Sequence, residues 1–123
     1  VYNRLFVEAG LAGKAVTLPT AEYAPCEGAE TKNYHIYNQF VIRVPRRNEL
    51  RKFLQARGIG SEVYYPLCLH QQSCLRSYDM PVQSFPHAER AAGESLALPI
   101  YPELSNEQME YVVAGIADFF SRE

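Results

Sequence analysis

The chain has 123 residues, which is the size of one domain and enough to bury a hydrophobic core. Hydrophobic residues make up 47% of the chain and the net charge is −2, so the basic surface typical of nucleic-acid binding is not expected. No apolar run approaches the length of about 20 residues that a membrane-spanning helix needs, and no signal segment is visible, so we expect a cytoplasmic protein.

A helix is predicted over residues 1–11, because apolar side chains recur there at spacings of three and four: Tyr2, Leu5, Phe6 and Ala9. Two glycines within residues 10–13 favour the end of this helix. The pattern is already under way at Val1, which is not a methionine, so we expect the chain to be a piece of a longer polypeptide. Residues 15–18 predict a short edge strand that ends at Pro19.

A polar loop over residues 20–33 leads to the most regular pattern in the chain. Alternation predicts a half-buried strand over residues 34–44, with one face formed by Tyr34, Ile36, Phe40, Ile42 and Val44. A helix is then expected to begin at Asn48 as N-cap and to stop at Gly58, with one side formed by Leu50, Phe53 and Leu54. Extended structure resumes over residues 61–65, and the following proline ends it.

The second half of the chain predicts mostly helices. A short helix within residues 67–78 is followed by one over residues 86–94, which begins with a proline, and by an extended segment over residues 95–100. Ser105 and Gln108 form a capping box for a closing helix, whose apolar face is expected to lie against the sheet: Met109, Val112, Val113, Ile116, Phe119 and Phe120. These elements predict a small α+β domain in two layers, with a short antiparallel or mixed sheet and helices packed on one face.

Motifs of catalysis are missing from the sequence, which has no G-x-S-x-G, no Gly-rich phosphate loop and no H-E-x-x-H. The three cysteines are Cys26, Cys68 and Cys74, and their odd number favours free thiols. Cys68, His70 and Cys74 lack the fourth ligand that a zinc site needs, so no metal site is expected.

Candidate binding residues lie where the strand over residues 61–65 meets its loop. Tyr64 and Tyr65 are either packed at the sheet edge or available to sugar and phosphate groups. His70, in the loop, is a better candidate than His87, which is expected to face solvent on a helix. Asn38 interrupts the apolar face of its strand, so it either forms a local hydrogen bond or reaches a ligand.

Several stretches resemble, in their order, the C-terminal part of the nucleotide-sugar aminotransferases of the DegT/DnrJ/EryC1/StrS type. They are YNRLFVEAGLAG over residues 2–13, HIYNQFVIRV over 35–44, RRNELRKFLQARGIGSEVYYPLCLHQQ over 46–72, and FPHAERAAGESLALPIYPELSNEQMEYVVAGI over 85–116. The resemblance implies the small domain of a fold-type I enzyme. Residues 1–14 would end a helix that links it to a large domain, and residues 15–123 would form the C-terminal small domain.

The resemblance also implies an activity that this chain does not complete. In such enzymes pyridoxal phosphate is bound to a lysine of the large domain, the subunits form a homodimer, and an amino group passes from an amino acid, commonly glutamate, to a nucleotide-linked keto-sugar. Lys14, Lys32 and Lys52 are the only lysines here, and none matches the family's cofactor-lysine context. We therefore expect no catalytic or cofactor-binding residue in this chain, and no activity from it alone.

Five residues are assigned to the sugar-nucleotide pocket by the resemblance: Tyr64, Tyr65, His70, Gln71 and Asn38. Tyr64 stands where many relatives have histidine, and Cys68 where proline or a small residue is common, so substrate contacts can differ here. Two other interpretations remain open. One is a free-standing ligand-binding or regulatory α+β module, and the other is the small domain of a sugar dehydratase relative in which histidine replaces the lysine.

Overall fold

The computed structural model describes residues 1–21, 35–75 and 84–122. In chain order its elements are α1 (Tyr2–Glu8), β1 (Phe40–Arg43), α2 (Arg47–Gln55), two 3-10 turns (Leu69–Gln71 and Ser73–Leu75), α3 (Pro86–Glu94), β2 (Ser95–Leu98) and α4 (Asn106–Phe120). This order confirms the predicted α+β class. Within the described ranges, no helix is long and apolar enough to cross a membrane.

The sheet is built on one antiparallel pair, β1 and β2, in which Phe40 lies opposite Leu98 and Ile42 opposite Leu96. These four side chains are buried and belong to one core, since residues two apart on a strand share a face. Single antiparallel bridges extend the pair at both edges, from Thr17 to β1 and from Glu62 to β2. The strand predicted over residues 15–18 is therefore reduced to two isolated bridges, Val16 to Ala12 and Thr17 to Arg43, and the strand predicted over residues 61–65 to the one bridge at Glu62.

The strand predicted over residues 34–44 is too long. Only Phe40–Arg43 is a strand, and Ile36, which was expected to face the core, is 84% exposed. The reason is a local turn: Tyr37 has a φ of 48°, its backbone N–H donates to His35 Nδ1 at 2.9 Å, and the two rings lie 4.0 Å apart. A left-handed residue cannot continue an extended chain, so the alternation breaks there. Tyr34 lies outside the described residues.

Helix α2 begins earlier than predicted. Its N-cap is Arg46, with a φ of 52°, rather than Asn48, whose Oδ1 instead accepts a hydrogen bond from Arg47 Nε at 2.7 Å. The other end agrees with the prediction, because Gly58 has a φ of 72° and the next residue, Ile59, donates its N–H to the Leu54 carbonyl at 3.0 Å.

Helix α4 is the closing helix that the sequence predicts. Gln108 N–H donates to Ser105 Oγ at 3.2 Å and Ser105 N–H donates to Gln108 Oε1 at 2.9 Å, which completes the capping box. The helix packs directly on α1 and α2 and shares one core with the sheet. Five of the six expected core residues are buried, and Phe120 is partly buried.

The segment between the sheet edge and α3 is less regular than predicted. Instead of the one short helix expected within residues 67–78, the described part contains two separate 3-10 turns, and Tyr78 lies outside that part. The helix expected over residues 86–94 is confirmed as α3, with Pro86 in its first turn. The loop expected over residues 20–33 lies largely outside the described ranges.

Candidate functional site

A cavity of about 410 Å³ lies beside the outer edge of β2. Its walls come from the turn before β1, from the segment that bridges to β2, and from the end of β2 itself: Asn38, Gln39, Gly60, Ser61, Glu62, Tyr64, Ala97, Leu98, Pro99 and Ile100. The sheet positions these groups, because the Glu62 backbone exchanges hydrogen bonds with Ala97 at 2.8 and 3.1 Å. Of the five predicted site residues, Asn38 and Tyr64 meet in this cavity.

The cavity carries polar groups suited to a hydroxylated ligand. Asn38 and Gln39 offer amides, and Tyr64 and Ser61 offer hydroxyl groups that both donate and accept. Ser61 Oγ is buried and has no hydrogen-bond partner in the part of the chain that the structure describes. Glu62 is engaged with Arg51 at 3.1 Å and is more than half exposed. Half of the ten lining residues thus carry polar side chains, beside the apolar Ala97, Leu98, Pro99 and Ile100.

Tyr2 supports the far wall of this cavity. Its hydroxyl donates to the Pro99 carbonyl at 2.9 Å, and its ring lies 4.8 Å from that of Phe40. Burial, with a smaller contribution from Tyr101, raises the pKa of Tyr2 to about 12. The phenol therefore keeps the proton that it donates to Pro99 up to a higher pH than an ordinary tyrosine would.

Tyr65 lies outside the cavity and is 76% exposed. Its ring centroid is 6.2 Å from that of Tyr64, and the peptide bond between the two residues is cis. Leu67 and Leu69 continue an exposed apolar surface along the same loop. Single exposed apolar residues need no explanation, but several on one loop are typical of a surface that contacts another molecule or domain.

His70 and Gln71 are occupied with contacts inside the protein. His70 Nε2 lies 3.0 Å from Glu89 Oε1, and its ring centroid is 5.0 Å from that of Phe85. Gln71 Oε1 accepts a hydrogen bond from the Cys68 backbone N–H at 3.2 Å. Neither residue lines the cavity with Asn38 and Tyr64. His87 is exposed on α3.

The sequence prediction missed several wall residues. Ser61 and Glu62 were assigned only to a strand, and Pro99 and Ile100 to an extended segment, with no functional role. A signal for this wall was present in the sequence, because prolines flank Ile100 and Tyr101. Proline cannot continue a central strand, so the chain has to leave the sheet at this point. A larger groove of about 480 Å³, between the end of α2 and the start of α4, contains none of the predicted residues.

Neither a cofactor lysine nor a metal cluster stands out in the described residues. Lys14 and Lys52 are exposed and do not line the cavity, and Lys32 lies outside the described ranges. Cys68 and Cys74 form no disulfide among the residues described, Cys26 lies outside them, and no group of three or more potential metal ligands occurs in that part of the chain. The described residues therefore do not fit a site that holds pyridoxal phosphate by an aldimine-forming lysine.

Comparison with known proteins identifies the family. The model of the DegT/DnrJ/EryC1/StrS aminotransferase family matches residues 15–117. The chain belongs to this family. The resemblance seen in the order of the sequence motifs is thereby confirmed.

The curated relatives reported for this chain are much longer than the chain itself. The "Pleiotropic regulatory protein" of Geobacillus stearothermophilus is 48% identical over 87 residues, covering 71% of this chain and 23% of the relative. The dTDP-3-amino-3,4,6-trideoxy-alpha-D-glucose transaminase of Streptomyces venezuelae is 34% identical over 87 residues, again 71% of this chain and 23% of the relative. The chain thus spans about a quarter of the length of these curated relatives.

Solved structures show the same fold. The crystal structure of S. venezuelae DesV in complex with a ketimine intermediate superposes with a TM-score of 0.75 at 33% identity, covering 99% of this chain and 32% of DesV. A DegT DnrJ EryC1 StrS aminotransferase from Brucella abortus gives a TM-score of 0.67 at 26% identity, covering 96% of this chain and 28% of that one. The predicted small α+β fold, found in part of the structures of these aminotransferases, is confirmed.

Proposed function

We propose that this chain is the C-terminal small domain of a nucleotide-sugar aminotransferase that depends on pyridoxal phosphate. Residues 1–14 would end the helix from the large domain, and residues 15–123 would form the small domain. The observation that carries the proposal is the superposition on DesV, in which nearly the whole chain matches 32% of a structure described with a ketimine intermediate. The large domain would supply the cofactor and its lysine, and two such subunits would form a homodimer.

The reaction that we propose is transfer of an amino group from glutamate to a keto-sugar linked to a nucleotide. Support comes from the relatives, several of which are named as transaminases or aminotransferases of dTDP- or UDP-linked amino sugars. No chemical step is assigned to this chain, because its described residues offer no cofactor lysine. Its contribution would be to bind and orient the sugar nucleotide.

The residues proposed for that task are the five expected from the sequence. The cavity beside β2 supports Asn38 and Tyr64 most directly, since their amide and phenol groups line it together. Tyr65 would contact the ligand from the exposed rim, and His70 with Gln71 would act through the loop they stabilise. Amides and phenols can both donate and accept hydrogen bonds, as sugar hydroxyls and phosphates require.

The experiment uses the full-length protein of which this chain is a part. We expect the protein, incubated with pyridoxal phosphate, glutamate and a dTDP- or UDP-linked keto-hexose, to release 2-oxoglutarate and an equal amount of aminated sugar nucleotide, measured by mass spectrometry. The 123-residue chain alone is the control and should give neither product. Loss of a sugar hydroxyl without gain of nitrogen would instead identify the dehydratase alternative.

A regulatory function is the second candidate, because the relative at 48% identity is named as a pleiotropic regulatory protein. This interpretation predicts no aminated product with any keto-sugar nucleotide, even when the full-length protein binds the ligand. The cytoplasmic location expected from the sequence stays a prediction.

A further inference from the structure

Glu89, on α3, connects two segments that lie far apart in the sequence. Its Oε1 accepts a hydrogen bond from the Phe85 backbone N–H at 2.9 Å and lies 3.0 Å from His70 Nε2. The His70 ring also packs on the Phe85 ring, with centroids 5.0 Å apart. A single carboxylate oxygen therefore joins the loop that follows the tyrosine pair to the first turn of α3. We call His70, Phe85 and Glu89 the clasp.

The loop needs such an attachment because little of it is buried. Tyr65 is 76% exposed and Leu69 is 74% exposed, so apolar packing contributes little to holding either residue. Hydrogen bonds of Cys68 and Leu69 are made within the loop, to Gln71 and Gln72. They shape the 3-10 turn but do not tie it to the domain. His70, whose side chain is only 21% exposed, reaches α3.

The chemistry of the clasp requires an acceptor at position 89 and a donor at position 70. The Phe85 N–H is a fixed donor, and the imidazole must carry its proton on Nε2 to donate to the carboxylate. Hydrogen bonds to an ionised acceptor are roughly twice as strong as those between neutral groups, so a carboxylate suits the shared position better than an amide. The imidazole nitrogen that faces Glu89 is thus already used and is not available to a ligand.

We propose that Glu89 and His70 are positioning residues that fix the loop bearing Tyr64 and Tyr65, and that neither acts by touching the substrate. The inference rests on the proposed function, because it assigns the tyrosines to the sugar-nucleotide pocket. It adds Glu89 to the residues on which that pocket depends. It also changes the role of His70 from ligand contact to support of the loop.

The kinetic test compares Glu89→Ala, His70→Ala and the double variant in the full-length protein. Each single variant should raise KM for a dTDP-linked keto-hexose by about tenfold, the effect of one lost contact of ordinary strength. The KM of the double variant should be no higher than that of the single variant with the higher KM, because both changes break the same contact. The half-reaction with glutamate, followed by cofactor absorbance, should change less than about twofold.

Conservative variants and controls separate positioning from ligand contact. His70→Gln should show a smaller rise in KM than His70→Ala, since its amide N–H can donate to Glu89. The KM of Glu89→Gln should lie between those of Glu89→Ala and the parent. His87→Ala, an exposed histidine on α3, and Glu110→Ala, an exposed carboxylate on α4, should leave KM unchanged. Additive losses in the double variant, or no rescue by glutamine, would overturn the proposal and return His70 to the ligand.

A second measurement does not depend on catalysis. Hydrogen exchange of the peptide over residues 64–72 in the full-length protein should become faster in Glu89→Ala and His70→Ala, and should be unchanged in the two controls. Unchanged exchange in both clasp variants would refute the inference even if KM rises. If the parent protein aminates no sugar while exchange responds as expected, the clasp stands and the proposed function fails.

Discussion

Replacing Arg47 by methionine tests what holds α2 against the junction of α3 and β2. Arg47 is the buried charged residue at the start of α2, with 6% of its surface exposed. Its Nη1 donates to the Ser95 carbonyl at 2.8 Å and its Nη2 to the Ala92 carbonyl at 3.1 Å. These oxygens lie where α3 ends and β2 begins, so one side chain joins the two helices and the sheet. A cation is favourable there because carbonyls at a helix C-terminus carry partial negative charge.

The expected cost follows from opposing contributions. Methionine would leave two partly buried carbonyls without this donor, at about 1–3 kcal/mol each. Removing a guanidinium whose burial is itself unfavourable offsets part of that loss. Burial, followed by the nearby charge of Arg51, lowers the pKa of Arg47, which shows the same desolvation. We therefore expect Arg47→Met to reduce the free energy of unfolding by about 2–4 kcal/mol.

Urea denaturation of the 123-residue chain, followed by far-UV circular dichroism, measures this cost. With a slope of about 1.5 kcal/mol per molar urea, a loss of 3 kcal/mol moves the midpoint by about 2 M. Arg51→Met is the matched control, because Arg51 lies one turn later, its side chain is 44% exposed and its partner is the exposed Glu62. Its loss should stay below about 1 kcal/mol. Equal losses in the two variants would refute the reasoning.

Three further predictions concern the core and its edges. Because the pKa of Tyr2 is about 12 in the folded chain and that of an unfolded tyrosine is about 10, the folded state binds more protons between these values, and stability should fall as pH rises through that window. Tyr2→Phe should flatten this fall in urea midpoints measured from pH 9 to 12, and an unchanged slope would contradict the assignment. Ser105→Ala should cost about 1 kcal/mol in the same denaturation assay by removing half of the capping box, and a neutral result would show that the cap contributes nothing. A Cβ at Gly115 would lie 3.0 Å from Ile59 Cδ1, so Gly115→Val should destabilise by about 1–3 kcal/mol. Gly93→Val should be nearly neutral, because no atom of the described residues lies within 4 Å of a Cβ there.

Helices could be predicted from the sequence because their signals are local. The capping box of α4 and the proline in the first turn of α3 act within a few residues, and both helices begin where these signals indicate. The stop of α2 before Gly58 is equally local, since it depends on the left-handed conformation of that one residue. Such signals need no knowledge of the partner that each helix packs on.

Strand lengths could not be predicted, because they depend on partners distant in sequence. Alternation over residues 34–44 is real, but β1 extends only as far as it pairs with β2. The turn at Tyr37 depends on His35, and nothing in the period-2 pattern distinguishes a ring that packs on its neighbour from one that enters a core. The prediction of the α2 N-cap was wrong for a similar reason. Asn48 is a favoured cap, yet its oxygen is used by Arg47, which is itself held by β2.

The candidate site also depends on contacts between segments that are distant in sequence. Tyr64 and Asn38 were chosen separately, and the structure brings them to one cavity because Glu62 bridges to β2, whose other edge pairs with β1. His70 was chosen for its place in a loop, but its partner lies 19 residues further along, on a helix that had no assigned role. A sequence pattern identifies which side chains could bind a ligand. Whether a side chain faces the ligand or supports its neighbour is decided by contacts between segments, and here Glu89 favours support for His70.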